Sequence, residues 1–559
     1  MVRLTTVALL LVSTAAFARP DVLISGGTIY DGSGDAPYPG WVAIEGDRIV
    51  ALGKAGTAPP SAAKVIDATG KAVSPGFVNM LSWATESLIA DGRGLSDITQ
   101  GVTLEVMGEG NSMGPLNSAM KAQMVKDQAD ITYPVTWTTL GEYLTFLEKK
   151  GIAPNVASFV GATTVRVHEI GEGDVDPSPA QLAAMQKLVR QAMNEGAMGV
   201  GSSLIYAPAF FAETPELIAL AKASADCGGM YISHIRNESD HIDTAIAELI
   251  EISKASGGPA EIYHLKQAGK ENWGKLDAVI AQVEAARAAG QRITADMYTY
   301  TAGATGLDAS MPLWVQAGGT DAWIARLKDP ATRAKVASEM KKPFPGQENL
   351  LLAAGSPDKV LLIGFKNPAL KKYTGMTLAQ VAKLRGTSPE DTAIDLVIED
   401  GTRVGTVYFL MDEANVARQT GLPWVAFGSD AEAPAPEGVF LLSSTHPRAY
   451  GNVSRLLGKY VREENKATLP DAIRRLTSFP ATNLGITDRG LLKAGNYADV
   501  VVFDPATIID HATYEKPQQL STGVDQVFVN GVQVLKDGKP TGKAAGRFVK
   551  GPGAGKCAS

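Results

Sequence analysis

Eight short apolar runs, at residues 72–78, 102–107, 155–160, 197–201, 229–234, 260–265, 292–298 and 424–428, alternate with helical stretches through the middle of the chain. That alternation requires parallel pairing, because each run returns to the sheet only through a crossover helix that also covers one of its faces. Eight such units predict an α/β fold of the (β/α)₈ barrel type. The connection between the last two runs is far too long for a single helix. Residues 308–415 therefore read as an insertion, mostly helical from segments such as Ala331–Met340 and Thr377–Lys383. Placed at the C-terminal face of the barrel, it would roof whatever site lies there.

The two ends read differently. Asp21–Tyr30 and Gly40–Val50 alternate apolar and polar residues and carry turn signals at Asp31-Gly32 and Glu45-Gly46-Asp47. Tyr497–Phe503 and Gln526–Leu535 repeat the style, the second with an Asn530-Gly531 turn. Neither end has enough apolar residues for a core of its own. Residues 19–71 and 486–545 are therefore expected to form one small β-sandwich around a barrel spanning 72–485, with a flexible Gly/Lys-rich tail over 546–559. The first 18 residues combine Arg3, a short apolar stretch and an Ala-x-Ala site, which predicts a signal peptide cleaved after Ala18 and a periplasmic or secreted protein. The apolar stretch is too short for a permanent span, and no cysteine follows it to carry a lipid, so no membrane anchor is expected. Only Cys227 and Cys557 are present, one in a helical stretch and one in the tail, and no bridge is expected between them. A net charge of −7 without a Lys/Arg cluster argues against nucleic acid as a partner.

Chemistry-bearing residues sit where barrel enzymes keep them. His234 and His264 close the runs Tyr231-Ile-Ser-His234 and Glu261-Ile-Tyr-His264, and Asp430 closes Trp424-Val-Ala-Phe-Gly-Ser-Asp430. Histidine, histidine and aspartate at successive strand ends form the layout of a metal-assisted hydrolase. One element of that layout is absent. The six histidines (168, 234, 241, 264, 446, 511) include no pair separated by one residue, so no His-x-His metal pair exists. The first strand instead continues Phe77-Val-Asn79-Met-Leu81-Ser-Trp83.

Ser74-Pro-Gly-Phe77, Gly101-Val-Thr103, Leu204-Ile-Tyr206-Ala-Pro208, Tyr231-Ile-Ser-His-Ile-Arg-Asn-Glu238, His264-Leu-Lys266, Asp296-Met-Tyr298-Thr-Tyr300, Gly428-Ser-Asp430 and His446-Pro-Arg448 follow one another in order. In this ordered set the chain resembles the amidohydrolase superfamily, and within it the N-acyl-D-amino-acid deacylase (D-aminoacylase) family. The resemblance implies a barrel with a terminal β-sandwich and a small insert. It also implies a zinc site built from His234, His264 and a cysteine at the end of the second strand, with Asp430 as the essential aspartate. The cysteine is missing from Val106-Met-Gly-Glu109-Gly110-Asn111. Gly110 stands in its place, and Glu109, one step away, is a competent zinc ligand and is assigned to the site. Leu81 and Trp83 replace the His-x-His pair that serves a second, weaker metal in the family, so one zinc per chain is expected. The resemblance places Lys266, Tyr206 and Tyr298 in the substrate pocket. Lys266, two residues beyond His264, would share its strand face. Arg448 and Arg236 are further candidates for holding a carboxylate, and His446 for orienting Arg448. The expected activity is hydrolysis of the linear amide of N-acyl-D-amino acids, or of related D-residue dipeptides, by a zinc-activated water, with Asp430 as proton carrier. Two alternatives stay open: a cyclic-amide hydrolase of the hydantoinase or dihydropyrimidinase kind, and an inert barrel that only binds a ligand.

Overall fold

The computed structural model describes residues 19–558; the leader expected over residues 1–18 lies outside them. Eight parallel strands form the barrel: β1 (Phe77–Asn79), β2 (Val102–Met107), β3 (Asn155–Ser158 continuing as Val160–Gly161), β4 (Gly199–Ser203), β5 (Met230–His234), β6 (Ala260–Ile262), β7 (Ile293–Met297) and β8 (Val425–Phe427). Each pairs with the next in chain order. Strand β3 changes partner at Phe159, its first part pairing with β2 and its second with β4. The ring closes where Met80 N–H donates to the Phe427 carbonyl (3.1 Å) and Asp430 N–H to that of Leu81 (2.9 Å). The strands are apolar along their length because both faces are buried. Val78, Leu104, Val106, Phe159, Ile232 and Ala426 fill the barrel. Their neighbours Phe77, Val102, Val156, Val200, Ile262 and Val425 pack outward against the helices.

The run at 72–78 divides between two sheets. Ala72–Pro75 pairs antiparallel with Val500–Phe503 in the terminal sheet, and β1 starts only at Phe77. That pairing welds the two ends of the chain into one nine-stranded sheet. Val500 and Val502 face the sandwich core with Ile24, Val42 and Phe528. Val501 and Phe503 face the barrel, where the Phe503 and Phe77 rings meet edge to face at 6.0 Å.

The insertion is mostly helical, as expected, and also carries a small sheet. Gly303–Gly306, Gly405–Tyr408 and Val360–Gly364 form an antiparallel sheet, and five helices from Gly319 to Asp400 pack with it around Leu307, Val336, Leu362, Ile394 and Val397. The strands escaped notice because their glycines break the alternation. Two expectations are corrected. Residues 546–558 are not a loose tail: Phe548 bridges to Val156, Val549 N–H donates to the Val156 carbonyl, and Gly551 N–H to that of Gly196. Its glycines serve close approach, since a side chain on Gly551 would run into the Ala197 carbonyl. That course brings Cys557 to Cys227, and the two form a disulfide with their Cα atoms 5.2 Å apart. The pairing was hidden because 330 residues separate the two cysteines.

Candidate active site

The C-terminal ends of the strands open into a cavity of about 1240 Å³, roofed by the insertion. Glu109 lies two residues past β2, just before Gly110. Gly110 adopts a left-handed conformation (φ 69°) against Ser203, with no room for a side chain. The carboxylate of Glu109 reaches the position that no side chain at 110 could. Its Oε1 stands 3.0 Å from His234 Nδ1 and 3.0 Å from His264 Nε2. All three residues are buried, and their ligand atoms lie within 4.8 Å of one another. Among the described residues, they are the only such group of histidine, cysteine and acidic side chains.

The far sides of both imidazoles turn to one carboxylate, Glu238. Its Oε1 lies 3.0 Å from His264 Nδ1, and its Oε2 lies 3.5 Å from His234 Nε2, which makes no hydrogen bond. A carboxylate behind a metal-binding histidine orients the ring; here one carboxylate faces both rings. Glu238 closes the motif Tyr231–Glu238, and only its spacing of four residues from His234 hints in the sequence at this place. Burial alone would raise the Glu109 carboxyl, but His264 and His234 outweigh it and hold Glu109 well below the usual carboxylate range. At His264 burial and Lys266 oppose a proton, yet Glu238 and Glu109 prevail and push the imidazole up to about 10. Two buried carboxylates thus favour positive charge at the midpoint of the cluster. Two imidazole nitrogens and a carboxylate oxygen facing that midpoint fit a divalent zinc-type ion with an open position.

His264 and Asp430 are both non-glycine residues in left-handed conformations (φ 35° and 48°), an arrangement that survives only where surroundings enforce it. For His264 the enforcement comes from Asp296, whose Oδ1 accepts its N–H at 2.8 Å. For Asp430 it comes from the barrel-closing bond to Leu81. Asp430 Oδ2 pairs with Arg448 Nη2 at 2.8 Å. Burial raises its carboxyl, and Arg448 offsets only part of that.

Lys266 reaches the cavity by another route than expected. Strand β6 ends at Ile262, so the turn at His264, not a shared strand face, brings it in. Its ammonium is held by Glu238 Oε1 at 2.6 Å. Tyr206 packs edge-on against His234, with ring centres 5.4 Å apart, and carries Arg403 of the insertion over its face. Tyr298 lies under the Arg448 guanidinium. His446 Nδ1 accepts the Arg448 backbone N–H at 3.0 Å, and its Nε2 meets the Ala302 carbonyl. Burial keeps this ring neutral, well below the ordinary imidazole range. Arg236 is the exception and does not line the cavity. Its guanidinium is bound to Glu248 and to the Phe210 and Ala212 carbonyls, as a structural arginine.

The pattern of the amidohydrolase family matches residues 374–535. D-aminoacylase of Alcaligenes xylosoxydans xylosoxydans is 32% identical over 531 residues, covering 95% of this chain and 97% of that protein. The chain belongs to the D-aminoacylase family. A crystal structure of N-acyl-D-glutamate deacylase from Bordetella bronchiseptica, complexed with zinc and a phosphonate mimic of the tetrahedral intermediate, superposes with a TM-score of 0.77. It is 28% identical and covers 95% of this chain and 100% of its own. A D-aminoacylase structure described by one-metal activation and second-metal attenuation of a binuclear centre is 31% identical, with the same coverage and a TM-score of 0.78. Dihydropyrimidinase from Brevibacillus agri, at 15% identity and a TM-score of 0.53, shares the fold alone, so the cyclic-amide alternative gains nothing from it. This D-aminoacylase-family chain is a metal-dependent hydrolase of carbon–nitrogen bonds other than peptide bonds, and the inert-barrel alternative is set aside.

Proposed function

We propose that this hydrolase cleaves the linear amide of N-acyl-D-amino acids, or of related D-residue dipeptides, with one zinc ion held by Glu109, His234 and His264. Bound there, the ion supplies Lewis acidity toward the amide carbonyl and the attacking water. Asp430, at the end of β8, takes the proton from that water and returns it to the leaving amine. Burial raises the Asp430 carboxyl above its ordinary value, which favours its accepting a proton.

One observation carries the substrate class. Arg448 is 2% exposed and lines the cavity, and while Nη2 holds Asp430, its Nε and Nη1 have no partner. A buried guanidinium with two free donors is a site for a carboxylate. The α-carboxylate beside the scissile amide of an N-acyl amino acid is of that kind. The D series rests on the relatives, D-aminoacylase and N-acyl-D-glutamate deacylase. Paired N-acyl D- and L-amino acids, each as free acid and as neutral amide, test the reading. We expect turnover of the D acids and a loss of kcat/KM of about 10² to 10⁴ for the amides, since a buried charge is then left unpaired. Equal rates on acid and amide would overturn it.

We also propose export to the periplasm or medium. The leader-like residues 1–18 support this, as does the Cys227–Cys557 disulfide, since such bonds persist in oxidising compartments. Recovery of a mature chain starting at Arg19 from the periplasm or medium would test it.

A further inference from the structure

The two catalytic-site carboxylates divide their oxygens in a regular way. Glu109 gives Oε1 to the histidines, and Asp430 gives Oδ2 to Arg448. The remaining two oxygens, Glu109 Oε2 and Asp430 Oδ1, converge on one side chain. Trp83 Nε1–H lies 2.9 Å from the first and 3.1 Å from the second. Trp83 comes just after β1, half-buried in the cavity wall. Its backbone is fixed there by its own N–H, which donates to the Ala431 carbonyl at 2.9 Å. Leu81, two residues earlier, is buried in the barrel interior with Val78, Leu104 and Ala426.

An indole N–H is a donor only, with no lone pair to offer a metal. A second cation beside the first would need the oxygens that Trp83 already occupies, and it would find an apolar Leu81 and a donor where ligands are required. Unlike a cation, the indole cannot dissociate.

We propose that Trp83 is a positioning residue that ties Glu109 and Asp430 together through one N–H and closes the site to a second divalent cation. It does permanently, and without charge, what a second metal would do reversibly. The inference rests on the reading that Glu109, His234 and His264 hold the first ion.

Zinc content and kinetics of the full chain, in wild type, Trp83→Phe, Trp83→His and His234→Ala, test it. Wild type is expected to retain one zinc per chain after equilibration with a tenfold molar excess and to keep its activity in that excess. Trp83→Phe keeps the ring and removes the N–H. It should lower kcat about tenfold or more with KM little changed, because Asp430 Oδ1 loses its donor and the carboxylate keeps only its pairing with Arg448. Trp83→His restores a lone pair and should retain up to two zinc ions per chain, becoming sensitive to excess zinc. Two retained ions in wild type, or a Trp83→Phe chain with wild-type kcat together with a Trp83→His chain that still holds one ion, would overturn the proposal. Loss of the single zinc in His234→Ala upholds the underlying metal site whatever the Trp83 variants do. A wild type without zinc would overturn both readings.

Discussion

Glu238 shows how much of a metal site lies behind its ligands. It donates nothing to the cluster itself, yet it faces both imidazoles and holds the Lys266 ammonium. Glu238→Gln is expected to weaken zinc affinity about 10- to 100-fold while leaving all three ligands in place; competition with a chromophoric chelator measures it, and an unchanged affinity would remove Glu238 from the site. Asp430 makes the opposite case, touching the reaction and not the ion. Asp430→Asn should retain zinc and lose about 10²-fold or more in kcat, read from elemental analysis and steady-state rates on one preparation. At this scale sequence and structure agree on His234, His264, Glu109 and Asp430 as neighbours, because strand ends in a barrel are forced together. Arg236 was misread because nothing in the order of residues shows that Glu248, on the helix Ile242–Ser256, would capture it.

Strand β2 carries a second, quieter feature. Glu105 and Asp97, on the short helix Leu95–Ile98 beside it, are both fully buried. Asn79 donates to Glu105 Oε2 at 2.9 Å, but Glu105 Oε1 and Asp97 Oδ2 have no donor among the side chains around them. Burial raises both carboxyls, Glu105 from its ordinary 4.5 to about 7 and Asp97 well above its own usual value. Burial thus favours the protonated form of both carboxyls in the folded chain, and the two titrate together. Across pH 4.5 to 7 the folded state binds a proton that the unfolded chain has released. By linkage, stability then falls as pH rises through that window and is fully present below it. Glu105→Gln, whose amide donates to Asp97 without titrating, should lose less stability than wild type between pH 5 and pH 8, by up to about 3 kcal/mol. Thermal denaturation of both chains at the two pH values measures this; parallel shifts would contradict it.

The C-terminal segment closes the molecule by running across the barrel rather than away from it. Residues 546–557 add backbone bonds to β3 and to the Gly196 region, and the disulfide at their end ties Cys557 to Cys227, just beyond the helix Thr214–Ala225. A cross-link of this span constrains the unfolded chain strongly, so Cys557→Ser should reduce stability by about 2–5 kcal/mol. The test is the Tm of the variant against wild type under non-reducing conditions, together with a thiol count on denatured wild type, expected to be zero.

Periodicity alone determined the barrel, the terminal sheet built from both ends and the presence of an insertion, because those depend on which faces each segment must bury. The order of residues also placed two histidines and an aspartate at strand ends, and the family resemblance added Glu109. The tertiary structure decided what no linear pattern encodes: that Glu238 stands behind both imidazoles, that Trp83 spans two carboxylates, that Arg448 keeps free donors while Arg236 does not, and that the tail carries its cysteine home. All but the Glu238–His234 contact join residues tens to hundreds of positions apart or depend on neighbours that far away. Their energetics turn on burial and on which donor reaches which oxygen first, and only the packed chain settles that.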